Sequence, residues 1–259
     1  SELGAGADSS PGGKRLLLAS SGSTAPSDRW QLDLATQEYT RLTFSPAEGV
    51  DLAALVKPEL RTFKAHDGLE LSGWLYLPKG FKAPGPVVLS FHGGPEGQEV
   101  PSFRAEYQAL LASGIAVFAP NIRGSSGFGK TFMSLDNHAG RFDANKDIKA
   151  AADFLVQERI GAKGKLGIVG GSYGGYVVMV AVTDYPDTFA AGANLFGMVN
   201  FETFFAQSTP WMGATSTGEY GDPKTQRQRR RDLSPIHTLG RGGPPRRARQ
   251  GANDPPVQG

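Results

Sequence analysis

Apolar and polar positions change rhythm partway along this chain. Lys14–Ser20 is an apolar run, Ser21–Asp28 is turn-rich, and Trp30–Leu34 alternates before a second turn at Ala35–Glu38. This pattern predicts short antiparallel strands over residues 14–43. Two or three strands of this size cannot bury a core alone, so they must pack on something, with sheet repeats upstream of Ser1 an expected partner. Pro46 to Pro58 reads as a connector.

From Arg61 the pattern changes. Leu69–Leu77 alternates, placing Leu69, Leu71, Gly73, Leu75 and Leu77 on one face. Pro86–His92, Ile115–Ala119, Leu166–Val169 and Ala190–Phe196 are near-continuous apolar runs, the mark of strands buried on both faces. Between them Phe103–Ser113, Asn145–Glu158 and Gly174–Thr183 suit helices, and Ile148, Ala151, Ala152 and Leu155 form an amphipathic stripe. Strands alternating with helices predict an α/β fold, a mostly parallel sheet with helices on both faces. Ligands in such sheets sit at the carboxyl ends of the strands, so the strand-to-helix turns are where chemistry is expected.

Composition narrows this picture. At 39% hydrophobic and 20% charged over 259 residues, the chain is too apolar for disorder and long enough for a sizeable core. The net charge of +2 belongs to one segment: residues 224–249 hold nine basic residues and one acid. The remainder carries 18 basic against 24 acidic residues, a net −6, which argues against a nucleic-acid or anionic-membrane binder. With no cysteine, disulfides, thiolate metal sites and a cysteine nucleophile are excluded. The longest apolar run, Tyr176–Val182, is too short to span a membrane. The start SELGAGADSS carries no signal-peptide pattern, and the absent Met suggests that the natural start lies upstream.

Three glycine-rich loops follow predicted strands. Gly170–Gly175 (GGSYGG) contains G-x-S-x-G between a strand and a helix, the setting of a nucleophile elbow. Ser172 is then the nucleophile, and the Tyr173 amide at the helix N-terminus faces the developing oxyanion. The plain alternative is a βα turn whose serine caps the helix. His92-Gly93-Gly94-Pro95 is an HGG-type loop that can supply the second oxyanion amide, with Gly94 favoured over Gly93. His92 itself is read as a loop-holding residue rather than the base. Gly124–Thr131 (GSSGFGKT) matches the phosphate-cradling P-loop letter for letter. Against that reading, Pro120–Arg123 separate it from its strand and the following stretch is a poor helix.

Together these loops resemble the prolyl oligopeptidase family of serine peptidases, particularly its acylaminoacyl-peptidase and dipeptidyl-peptidase-like branch. The matching motifs are HDGLELSGWLYLP (66–78), FHGGP (91–95), NIRGSSGFGK (121–130), GGSYGGY (170–176), YGDP (220–223) and LSPIH (233–237). The resemblance implies an α/β-hydrolase domain over 58–259, preceded over 1–57 by the last part of a β-propeller and a connector. It implies hydrolysis of short peptides through an acyl-enzyme, with no cofactor, no metal, no nucleic-acid or membrane partner, and a cytoplasmic location. A homo-oligomer is left open. The segment Gln250–Asp254 resembles the loop bearing the catalytic aspartate, which makes Asp254 the orienter of a base; an exposed turn aspartate is the alternative. Met198, Phe201 and Trp211 are candidates for the substrate pocket, with core packing as the alternative.

Two departures stand out. The family places its catalytic histidine after the aspartate, whereas His66, His92, His138 and His237 all precede Asp254. Little peptidase activity is therefore expected of this polypeptide unless a histidine comes from elsewhere. Residues 240–249 (GRGGPPRRAR) also stand where a buried strand is expected, and two prolines and four arginines cannot form one. A local shift of reading frame closing near Gln250 would account for them; a basic nucleic-acid tail is the alternative. Rival functions are a carboxylesterase or lipase using the same elbow, a catalytically degenerate peptide-binding or structural module, and a P-loop nucleotide binder.

Overall fold

The computed structural model describes residues 4–221. Asp254, the 240–249 segment and the LSPIH motif lie outside the described residues. The first sheet is antiparallel, in the order β1 (Gly4–Ser9), β2 (Arg15–Gly22), β3 (Ala25–Asp33), β4 (Tyr39–Arg41). The expected strands are present, but Ser21–Asp28 is not turn-rich: only Ser23 and Thr24 separate β2 from β3. The chain absorbs the polar residues there with a register shift between Ser20 and Gly22. Strand β1, rich in Gly and Ala, carries no apolar alternation and pairs with β2 along the backbone.

The second sheet has six strands: β5 (Glu59–Lys64), β6 (Glu70–Tyr76), β7 (Gly85–Phe91), β8 (Ala116–Asn121), β9 (Gly161–Gly171) and β10 (Ala191–Leu195). Their spatial order is β10-β9-β7-β8-β6-β5. Strands β7 to β10 run parallel, while β6 is antiparallel to β8 and β5 to β6. The chain leaves β7 toward β8 on one side and returns as β9 on the other. Such a reversal opens a crevice beyond the carboxyl ends of β7 and β9.

Helices cover both faces, as the alternating pattern predicts. Helices α3 (Arg141–Gln157) and α4 (Tyr173–Asp184) close one face over Leu71, Leu75, Val87, Leu89, Phe118, Leu166 and Ile168. Helix α1 (Ala105–Ala112) closes the other with Tyr107 and Leu111 against Tyr76, Val117 and Ala119. Burying each large apolar side chain stabilises the fold by about 1.5–3 kcal/mol. Gly73, counted on the apolar face of β6, has no side chain because the Phe118 ring fills that space: a Cβ there would stand 2.6 Å from it. Strand β8 is buried at every position. Strand β10, expected to be buried, is mostly exposed; among the described residues it is an edge strand of the sheet.

Between β8 and α3 lie α2 (Lys130–Met133) and two 3-10 turns, Ser134–Asp136 and His138–Gly140. Helices α5 (Phe201–Gln207) and α6 (Pro210–Tyr220) follow β10. Gln108 of α1 fastens the two sheets together. Its amide nitrogen donates to the Ser23 carbonyl at 3.3 Å and the Val56 carbonyl at 3.0 Å, and its oxygen accepts from the Val56 amide. Among the described residues no helix is long and apolar enough to cross a membrane.

Candidate active site

Strand β9 ends at Gly171 and α4 begins at Tyr173, so Ser172 must turn the chain alone. Its backbone has φ 55 and ψ −120, a conformation that suits glycine and strains any other residue. The surrounding glycines make room for it. A Cβ on Gly170 would overlap the Gly174 carbonyl, and one on Gly174 would overlap the Phe91 carbonyl at the end of β7. The turn is pinned by its own backbone: the Ser172 carbonyl accepts from the amides of Gly175, Tyr176 and Met198, and the Ser172 amide donates to the Leu195 carbonyl. The Ser172 side chain makes no capping bond to α4, and the residue is exposed. The helix-cap alternative is not what the hydroxyl does. Tyr173 is the first residue of α4, so its amide is among the donors that a helix leaves without an internal partner.

The HGG loop leaves β7 beside this turn. A Cβ on Gly93 would stand 3.3 Å from the Ser172 Cβ, a tight contact that the glycine avoids. Gly94 follows with φ +134, where a side chain would overlap the Glu96 and Gly97 amides. His92 is committed to the loop itself. Its Nδ1 lies 2.8 Å from the Gly93 carbonyl and its Nε2 3.0 Å from Ser125 Oγ, and burial lowers its pKa below the ordinary histidine value.

The third loop is spent on internal bonds. The amides of Gly124, Ser125 and Ser126 donate to the carbonyls of Phe132, Ile122 and Gly97, so they are not offered to a phosphate. The helix after it, α2, has four residues. Arg123 anchors the loop. Its guanidinium donates to both Asp147 oxygens at 2.8 and 2.9 Å and to both Asp67 oxygens at 2.9 and 3.0 Å. Hydrogen bonding to Arg123 holds the Asp67 carboxyl down to about 2, against the opposing effect of its partial burial. Asp147 is raised instead, because burial outweighs its bonds to Arg123.

Of the pocket candidates, Phe201 is fully buried among Tyr176 and Tyr220, which is the core-packing alternative; its burial keeps it from a substrate surface. Met198 is half-buried against the core, its amide tied to Ser172, and Trp211 is exposed on α6. Sequence reasoning passed over Asp67, Arg123, Asp147 and Arg141. A signal existed: Arg141 and Asp147 fall in register with the apolar stripe of α3, where a charge is out of place unless paired.

Residues 101–258 match the model of the prolyl oligopeptidase family. The dipeptidyl aminopeptidase BIII of Pseudoxanthomonas mexicana is 30% identical over 258 residues, covering 95% of this chain and 37% of that protein. The acylamino-acid-releasing enzyme of Sus scrofa is 31% identical over 143 residues, 54% of this chain and 19% of the relative. The solved acylaminoacyl peptidase of Pyrococcus horikoshii matches with a TM-score of 0.75 and 29% identity, over 90% of this chain and 37% of that one. The chain thus spans well under half the length of these relatives.

Proposed function

The chain belongs to the prolyl oligopeptidase family, and from that premise we propose that it carries the acyl-transfer half of a serine peptidase acting on short peptides. The observation that carries this reading is the strained, uncapped, exposed Ser172 at the crevice where β7 and β9 end. In the proposed mechanism Ser172 Oγ attacks the scissile carbonyl and forms an acyl-enzyme as the C–N bond breaks, the serine proton passing through a base to the departing amine. The Tyr173 amide and the Gly94 amide donate to the oxyanion from opposite loops, and the N-terminal dipole of α4 adds to them. Asp254 is the proposed orienter of the base, with Met198 and Trp211 as proposed substrate contacts.

His92 has both ring nitrogens engaged and His66 pairs with Asp143, so neither is offered as the base. We also propose the β1–β4 sheet as the end of a propeller; Leu17, Leu34, Tyr39, Leu42 and Phe44 on and around it are exposed apolar residues suited to a further packing partner.

Short acylated peptide anilides and simple aryl esters, offered in parallel to the wild type and Ser172→Ala, test the proposal. Acyl transfer lost in the variant is expected. Hydrolysis that survives Ser172→Ala would overturn the assignment.

A further inference from the structure

Directly behind the elbow, three charged side chains are buried together. Arg141 opens α3 and is 4% exposed, Asp136 at the end of the Ser134–Asp136 turn is 0% exposed, and Glu219 near the end of α6 is 9% exposed. Arg141 Nη2 donates to Glu219 Oε1 at 2.6 Å and to the Glu219 carbonyl at 3.3 Å, while Nη1 lies 3.9 Å from Asp136 Oδ2. The guanidinium also stands over three rings, with its carbon 5.2 Å from the centre of Tyr173, 5.6 Å from Phe201 and 4.5 Å from Tyr220. Two of those rings lead into the candidate site. Tyr173 supplies the elbow amide, and the Tyr220 hydroxyl donates to the Gly94 carbonyl at 3.4 Å.

The charges do not balance as they stand. Among the described residues one cation faces two buried carboxylates, and an uncompensated buried charge is strongly unfavourable. The hydrogen bonds are also incomplete. Among the described residues neither Asp136 oxygen nor Glu219 Oε2 has a hydrogen-bond partner. Both carboxyls flank the same guanidinium, and hydrogen bonding with Glu219 is among the causes that raise Asp136. One proton held between them would neutralise the excess charge and give the unpaired oxygens a partner.

We propose that Arg141, with a single proton shared between Asp136 and Glu219, is the positioning group of the elbow, fixing Tyr173 and Tyr220 and through them the Gly94 loop. This deepens the serine-nucleophile reading and rests on it. The groups facing Asp136 are Arg141 on α3, Glu219 and Tyr220 on α6, and Tyr173 and Tyr176 on α4; burial raises all three tyrosines, so they stay neutral. Burial first, then the Glu219 charge, push Asp136 up to about 8 against the opposing pull of Arg141. The folded chain therefore keeps a proton that the unfolded chain releases near 3.8, so stability falls as pH rises from 3.8 to about 8 and is level above it.

Thermal melting of the wild type and Asp136→Asn across pH 5 to 9 tests the shared proton, since asparagine keeps the shape and a donor without the charge. The melting point of Asp136→Asn should gain on the wild type by roughly 5 °C or more between pH 5 and 8 and then hold level. A variant less stable than the wild type by the same amount at every pH would overturn the shared proton. Amide exchange tests the positioning: in Arg141→Lys, the Gly175 and Tyr176 amides, which bond to the Ser172 carbonyl, should lose at least about tenfold of their protection while β8 keeps its own, and Asp136→Asn should retain both. Unchanged elbow protection in Arg141→Lys would overturn the positioning role. Phosphonate labelling of Ser172 in the wild type stands apart from both arms; its absence, with melting and exchange as expected, would sink the nucleophile reading alone.

Discussion

Replacing Ser172 separates what the backbone demands at the elbow from what the hydroxyl contributes. At φ 55 and ψ −120 a residue with a Cβ stores strain on the order of 1–3 kcal/mol, and glycine does not. The hydroxyl caps nothing, so Ser172→Ala keeps the strain and loses no capping bond; its stability should match the wild type within about 0.5 kcal/mol. Ser172→Gly releases the strain, offset by about 0.5–1 kcal/mol of extra freedom in the unfolded chain. The net gain should be about 0.5–2 kcal/mol, or a melting point higher by roughly 1–8 °C. Urea titrations of the three proteins at pH 7, followed by tryptophan fluorescence, give these differences directly. A structural cap predicts instead that both variants fall below the wild type, with alanine costing about 1 kcal/mol and glycine a few tenths. Alanine destabilised by that amount, with glycine no better than the wild type, would refute the strained-elbow account.

Other substitutions probe the supports of the site. Asp147→Ala strands the buried Arg123 and should cost about 3–5 kcal/mol in urea unfolding, whereas Asp67→Ala, at 43% side-chain exposure, should cost at most about 1 kcal/mol. Asp67 contributes fully above its ordinary value of 3.8, and its small share is lost as pH falls toward about 2, so Asp67→Asn should lessen acid sensitivity in that window alone. Gly174→Ala forces a Cβ into the Phe91 carbonyl and should cost more than about 3 kcal/mol, while Gly164→Ala, at φ +77 with open space, should cost only about 1–2 kcal/mol by equilibrium unfolding. His92→Ala should loosen the bond to Ser125 at about 1–3 kcal/mol yet leave Ser172 labelling within a few-fold of the wild type. Abolished labelling in a folded His92→Ala protein would instead mark His92 as the base.

The parts of the fold legible in the sequence are those where one element carries its own signal. The runs at β7, β8 and β9 and the α3 stripe could be read because burial on both faces demands unbroken apolar strands, and packing on one face demands a helical period. The elbow could be read because two glycines and a serine satisfy a steric need within five residues. Strand β1 could not, since Gly and Ala join a sheet through backbone pairing that no side chain advertises. Exposure of β10 depends on its place in the strand order, a property of the whole sheet. Phe201 looked like a pocket residue because aromatic character is shared by pockets and cores; only its neighbours Tyr176, Tyr220 and Arg141 decide between them. Arg123 with Asp67 and Asp147, and Arg141 with Glu219, span 24 to 78 positions, beyond any local pattern.

The central claim is that Ser172, and no other serine of this chain, sits where an acyl group can be transferred. Prolonged exposure to a fluorophosphonate, with the adduct mapped by peptide mass spectrometry, tests it most directly. The account predicts a single adduct on Ser172 that disappears in Ser172→Ala. An adduct spread over several serines, or one that forms on another residue before Ser172, would contradict it.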